Sequence, residues 1–110
     1  MKTSRDVVEA ALRRIGVVGM AEPLTADQEA QGREALEGLL AEIKTEVAFT
    51  WTAETVPGAV FLPLAALLAV EVAPSYDVPR PGSYSRAWHR LMAVLRPDDR
   101  DDEPMQAEYF

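Results

Sequence analysis

Cysteine is absent from this chain of 110 residues, and histidine occurs once, as His89. The absence of cysteine excludes disulfide bonds and thiolate metal sites, and a single histidine excludes the histidine pair of many metal centres. The composition is compatible with a reducing cytoplasm. His89 lies between Trp88 and Arg90, and we interpret it as a surface or half-buried side chain.

Long hydrophobic runs are also missing, and we expect no secretory leader. The longest apolar run, residues 59–70, has about twelve residues, which is too short to span a bilayer and fits a buried helix. The first residues are charged and become amphipathic at once, unlike a signal peptide. We therefore expect a protein that is neither secreted nor embedded in a membrane.

The chain lacks the usual catalytic and cofactor motifs. Gly16 and Gly19 follow a predicted helix rather than a strand and have no third glycine at the required spacing, so they do not form a dinucleotide-binding loop. The acidic run 98–103 lacks the spacing and the distal glutamate of a calcium loop. We expect no catalytic residue, no metal and no cofactor, and an enzyme without a recognisable site remains only a third hypothesis.

Basic residues are in the minority. The net charge is −7, and residues 96–110 contribute −4 of it through six acidic residues and two arginines. An acidic protein repels the phosphate backbone, which argues against tight non-specific binding to nucleic acid and is compatible with loose passage of DNA. The length and the 48% hydrophobic content fit one domain with one core.

Two N-terminal helices are predicted from caps and apolar spacing. Thr3 is predicted to cap a first helix that has an apolar face. Gly16 is predicted to end this helix. Thr25 and Gln28 have the spacing of a capping box, so a second helix is predicted over about 26–46.

Two further helices are predicted in the C-terminal half. Pro63 suits the first turn of a helix that ends at Pro74, and this segment is apolar on nearly all sides, as expected of the central helix. A last helix is predicted from about Ser83 to the residue before Pro97. The predicted fold is thus mainly α, a small four-helix bundle.

Residues 48–62 have a different pattern. Apolar and polar residues alternate, and Pro57-Gly58 is typical of a turn, so the segment is predicted as an extended loop or a two-stranded β-ribbon between helices 2 and 3. Phe49, Trp51 and Phe61 lie in it. They either fold onto the core or serve as anchors of an interface, where aromatic residues are enriched.

The composition divides the chain at residue 96. Residues 1–96 are predicted as the helical domain and residues 97–110 as an acidic, flexible C-terminal tail. Met105, Tyr109 and Phe110 follow the acidic run, and such an apolar hook fits a groove on a partner.

Two pairs of residues leave alternatives open. Arg13 and Arg14 either lie on a solvent-exposed face, where their positive charges stabilise the C-terminal end of the first helix, or contact an acidic neighbour. Gly32 and Gly38 lie inside the second helix, where each costs about 1 kcal/mol relative to alanine. They are either merely tolerated or required by the close approach of another helix or subunit.

Segments in both halves of the chain resemble one family. They are ALRRIGVVG (11–19), EP (22–23), AD (26–27), and LPL with LLAVEVAPSY (62–76). Together they are similar to the head-to-tail connector, or adaptor, proteins of tailed phages and gene transfer agents, of the packaged-DNA-stabilisation and head-completion type. The resemblance covers about residues 3–95.

This resemblance implies a structural role without catalysis. Such adaptors form a ring, usually dodecameric, under the portal of a phage-like particle, extend the DNA channel, help to retain packaged DNA and provide the docking surface for the tail. The implied partners are the portal protein, further copies of the chain, and a tail or stopper protein, with packaged DNA only passing loosely through the lumen. The implied location is the portal vertex of a virion or phage-like particle assembled in the bacterial cytoplasm.

The resemblance also implies contact residues. The C-terminal segment would grip the portal, through Arg96, Pro97, Met105, Tyr109 and Phe110. Contacts between subunits or with the tail would fall on Arg13, Arg14, Phe49, Trp51 and Phe61. The alternative function is an acidic helical regulatory or inhibitor module that binds a basic protein partner, such as a DNA-binding protein.

Overall fold

The computed structural model describes residues 1–96 of the chain. Within this range, the chain forms four α-helices joined by loops. They are α1 (Ser4–Arg14), α2 (Ala26–Lys44), α3 (Gly58–Val72) and α4 (Tyr84–Leu95), and a short 3-10 turn, Ala73–Tyr76, follows α3. No strand occurs within these 96 residues. The predicted mainly helical fold with four helices is confirmed, and residues 97–110, the predicted tail, lie outside the described residues.

The capping residues of α1 and α2 fix where these helices begin. Thr3 Oγ accepts a hydrogen bond from the Asp6 N–H, and Asp6 Oδ2 accepts one from the Thr3 N–H at 2.9 Å. The Thr3 N–H also lowers the pKa of Asp6. Thr25 and Gln28 form the same reciprocal pair, with distances of 2.9 and 3.1 Å. Both predicted caps are therefore confirmed, because each depends on residues only three positions apart.

Helix α3 is the centre of the fold. It packs against α1, α2 and α4, and every residue from 63 to 70 is buried. Leu64 and Leu67 are 0% exposed. The prediction of a central apolar helix is confirmed, since a helix that is apolar on all sides must be covered on all sides.

The start of α3 differs from the prediction. The helix begins at Gly58 with Pro57 as its N-cap, so Pro63 lies inside the helix. The Phe61 N–H donates to the Pro57 carbonyl at 3.1 Å, which places Phe61 in the first turn. Pro63 has no N–H to donate to the carbonyl of Ala59, so one backbone hydrogen bond of the helix is not made there.

The predicted β-ribbon is not formed. The four residues after Gly58 continue as helix, and Val60 packs into the core with 5% exposure, so they do not pair with residues 48–55. The α2–α3 loop, residues 45–57, instead pairs at one position with the N-terminus. Lys2 and Val56 exchange two backbone hydrogen bonds of 2.9 and 2.8 Å, an isolated antiparallel bridge.

The apolar helix is longer than the sequence run indicated. The continuous helical segment Gly58–Tyr76 has 19 residues and a mean hydropathy of 1.8, so by length and composition it could cross a membrane. The expectation that this apolar segment is too short to span a bilayer was therefore wrong. Since 61% of it is buried inside the fold, its setting is typical of the core helix of a helical domain.

Candidate interaction surfaces

The most distinctive feature of the α2–α3 loop is a pair of stacked aromatic rings. The ring centroids of Phe49 and Trp51 are 4.1 Å apart with an angle of 22° between the planes. The Lys44 ammonium lies 5.1 Å from the Phe49 centroid. Both rings pack against the core and remain half-exposed beside an open groove of about 320 Å³. We call Phe49 and Trp51 the aromatic ledge.

Phe61 does not belong to this loop. It lies in the first turn of α3, is half-buried against the core, and has the Lys2 ammonium 5.0 Å from its ring centroid. The structure thus separates by element the three aromatic residues that the sequence pattern had placed in one segment. A contact of Phe61 with a neighbouring subunit stays a prediction.

A polar clamp that the sequence did not reveal holds the loop in place. Ser4 is 2% exposed, and its hydroxyl donates to Glu54 Oε2 at 2.6 Å. The same oxygen lies 3.0 Å from Arg33 Nη2. The Ser4 hydroxyl, aided by its backbone N–H and by the charge of Arg33, lowers the pKa of Glu54. Three segments that are distant in sequence therefore meet at the Glu54 carboxylate.

Replacing Ser4 by alanine is expected to lower the free energy of unfolding by about 1 kcal/mol at neutral pH. Hydrogen bonds to charged groups stabilise a fold by more than this on average. The Glu54 side chain is 43% exposed, however, and water weakens its hydrogen bond with Ser4. Urea unfolding followed by circular dichroism measures the change. Ser85→Ala is the control, because Ser85 is exposed on α4.

The same variant has an expected pH dependence. A carboxylate whose pKa is lower in the folded than in the unfolded state stabilises the fold above the unfolded pKa, and this contribution is lost as the pH falls through the folded pKa. The difference between Ser4→Ala and the parent chain should therefore shrink as the pH falls below about 4, near the unfolded pKa of a glutamate. A difference that is the same at pH 7 and pH 3 would contradict the assignment.

Arg13 is engaged within its own chain. It donates to the carbonyls of Gly19 at 3.3 Å and Glu22 at 3.1 Å, and it pairs with Glu9 at 3.1 Å. The turn it holds follows Gly16, whose φ of 79° is the left-handed conformation that glycine adopts most readily. The structure accounts for Arg13 as a brace of the α1–α2 turn, and its contact with a partner stays a prediction.

Arg14 faces a different surface, which it shares with two arginines of α4. Arg14, Arg86 and Arg90 line one open groove of about 470 Å³, with the buried residues Ala66 and Val70 of α3 at its floor. We call this surface the arginine groove. Sequence reasoning missed it because its arginines are brought together only by the packing of α1 and α4 on α3.

Arg96 closes the end of α4. Its Nη2 donates to the Glu46 carbonyl at 2.6 Å and lies 4.0 Å from the Glu46 carboxylate, so it ties the end of α4 to the start of the α2–α3 loop. The other residues predicted to grip a portal, Pro97, Met105, Tyr109 and Phe110, lie outside the described residues.

The exposed face of α2 is acidic. Glu29, Glu34 and Glu37 line a shallow depression together with Arg33. Arg5 pairs with Glu29 at 2.7 Å, and Arg33 pairs with Glu37 at 3.4 Å. These ion pairs are solvent-exposed and contribute little to stability. The three glutamates outnumber the two arginines by one, so the face keeps a small net negative charge.

Side chains of the metal-ligating types are scattered over the described residues, 1–96. Within this range, no three histidine, aspartate or glutamate side chains are arranged to hold a metal ion, and His89 is exposed on α4. Comparison of the chain with protein-family models, with curated proteins and with solved structures finds no match.

Proposed function

We propose that this protein is a structural head-to-tail adaptor that forms a ring under the portal of a phage-like particle. In this role it extends the DNA channel, helps to retain packaged DNA and provides the docking surface for the tail. The proposal starts from the resemblance of segments 11–27 and 62–76 to that family.

The observation that carries the proposal is the aromatic ledge. Phe49 and Trp51 stack on each other in a loop outside the four helices, where they are only partly covered by their own chain. Tryptophan and other aromatic side chains in such positions are frequent anchors of protein interfaces. A ring needs a contact of this kind, made head to tail between identical copies.

The acidic α2 face supports the same role. A channel wall that carries Glu29, Glu34 and Glu37 around Arg33 has more negative than positive charge, so DNA would slide past it without binding tightly. In the proposed assembly, the α2–α3 loop makes contacts between subunits or with the tail. The extended C-terminal tail reaches the portal.

Deleting residues 97–110 is expected to abolish binding to the portal protein and to leave the helical circular dichroism of the domain intact. The reason is that the proposed portal anchors Met105, Tyr109 and Phe110 all lie in the deleted segment. Portal binding is measured with the purified portal by biolayer interferometry, and helicity with far-UV circular dichroism.

Two matched variants of the full chain separate the apolar hook from the acidic run. Tyr109→Ala/Phe110→Ala should weaken binding at least tenfold, as expected for aromatic anchors, whereas Asp101→Asn/Asp102→Asn should have a smaller effect. Unchanged portal binding after the deletion would remove the tail from the mechanism.

A second candidate function is a regulatory or inhibitor module that binds a basic protein. The acidic α2 face and the −4 charge of residues 96–110 favour it. Such binding would weaken steeply with salt, because screening shortens the range of exposed charges. Insensitivity of the natural partner's binding to salt would count against this candidate.

A further inference from the structure

The arginine groove holds three positive charges that the described residues do not neutralise. Arg5, Arg13, Arg33 and Arg96 each form an ion pair within residues 1–96, whereas Arg14, Arg86 and Arg90 form none there. This concentration of positive charge is unusual in a chain whose net charge is −7. The groove therefore has the charge of a site for an anionic group.

The position of Arg86 adds to this preference. Arg86 is in the first turn of α4, whose N-cap is Ser83 and which has no acidic residue in that turn. The positive end of the helix dipole disfavours a cation there and favours an anion. An acidic segment in the groove would be attracted by the arginines and by the helix end together, while Ala66 and Val70 offer an apolar floor.

We propose that residues 98–103 of the same chain bind in the arginine groove. This segment carries five acidic residues and one arginine, and it begins two residues after Arg96, at the end of the helix that supplies Arg86 and Arg90. The charges of segment and groove are opposite and of similar size. Attachment to the same helix gives the segment a high effective concentration, on the order of millimolar for a short link.

The length of the segment fits the distance. Arg90 and Arg86 lie five and nine residues before Leu95, which corresponds to about 7 and 14 Å along the helix axis. A chain that turns back after Arg96 covers about 3.3 Å per residue, so six residues span about 20 Å and can face both arginines. In this arrangement the acidic run is held on the domain, and a partner of the tail must compete with the groove.

The absence of cysteine allows a direct test in the full-length chain. A nitroxide attached to Gln106→Cys broadens the NMR signals of nearby amides, and the signals of Gly82 and Ala87 beside the groove are compared with that of Gly38 on α2. We expect the Gly82 and Ala87 signals to lose at least half of their intensity at low salt and the Gly38 signal to be unchanged. The loss should be reversed at high salt, where exposed charges are screened.

Charge-matched variants identify the site. Arg86→Gln/Arg90→Gln should abolish the broadening, whereas Arg5→Gln/Lys44→Gln, which removes two charges outside the groove, should preserve it. All four positions are exposed, and circular dichroism verifies that each variant is folded. No broadening in the parent chain, or equal broadening in both double variants, would overturn the proposal.

A mixture of spin-labelled and isotope-labelled chains shows whether the contact is made within one molecule. We expect no broadening between different chains. Broadening in the mixture as strong as in chains that carry both labels would overturn the assignment to the same chain. The result is independent of the adaptor function, since portal binding is measured separately with the tail deletion.

Discussion

Leu67→Ala is expected to lower the free energy of unfolding by about 3–4 kcal/mol, within the range found for leucine truncation in cores. Leu67 is 0% exposed, and it belongs to the helix that packs against the other three. A cavity at this position weakens several helix contacts at once. For a small domain with a total stability of about 5–10 kcal/mol, the change removes a large share of it.

Leu62→Ala is the matched control on the same helix. Leu62 is 55% exposed, so the same chemical change should cost less than about 1 kcal/mol. Urea unfolding monitored by circular dichroism gives both values. Equal losses for the two variants would contradict the central position of α3, as would a loss of less than 1 kcal/mol for Leu67→Ala.

Gly32→Ala is expected to destabilise the fold by about 1–2 kcal/mol, although alanine is the better helix former. A Cβ at position 32 would collide with the side chain of Val8, which is fully buried on α1. A cavity of about 60 Å³ next to both residues gives Val8 some room to move, which keeps the expected cost moderate.

Gly38→Ala, on the same helix, should have the opposite sign. Nothing lies within 4 Å of a Cβ at this position, so the change should stabilise the fold by about 0.5–1 kcal/mol through helix propensity alone. The comparison is made by thermal and urea unfolding of both variants. Stabilisation by Gly32→Ala would show that α1 and α2 do not pack as closely as the structure has them.

These two glycines show what the sequence could and could not reveal. Both were recognisable as costly residues in a helix, with tolerance and close approach as the alternatives. Only the packing of α1 on α2 decides between them: Gly32 is required by the approach of Val8, and Gly38 is tolerated. The facing residue is distant in sequence, so no local pattern could give this answer.

Local signals predicted the beginnings of three helices well. Thr3, Thr25 and Ser83 each accept a hydrogen bond from the backbone three residues later, as capping residues do. The start of α3 was missed because Pro57-Gly58 fits both a turn and a helix start. The burial of Val60, which is a tertiary effect, decides for the helix.

The candidate surfaces were predictable only in part. The aromatic ledge could be anticipated from Phe49 and Trp51 in a non-helical segment. The Ser4–Glu54 clamp could not be anticipated, because it joins residues that are 50 positions apart. The arginine groove could not be anticipated either, because its lining comes from three different helices. Arg13 illustrates the converse, since a residue predicted for a partner braces its own turn.

The measurement that tests the adaptor proposal most directly is affinity purification of the tagged full-length protein from cells that make the whole particle. The purified material is analysed by mass spectrometry. We expect the portal protein as the dominant partner, together with tail or stopper proteins. A clean preparation that contains neither portal nor tail proteins would contradict it, and a basic DNA-binding protein in their place would support the regulatory module instead.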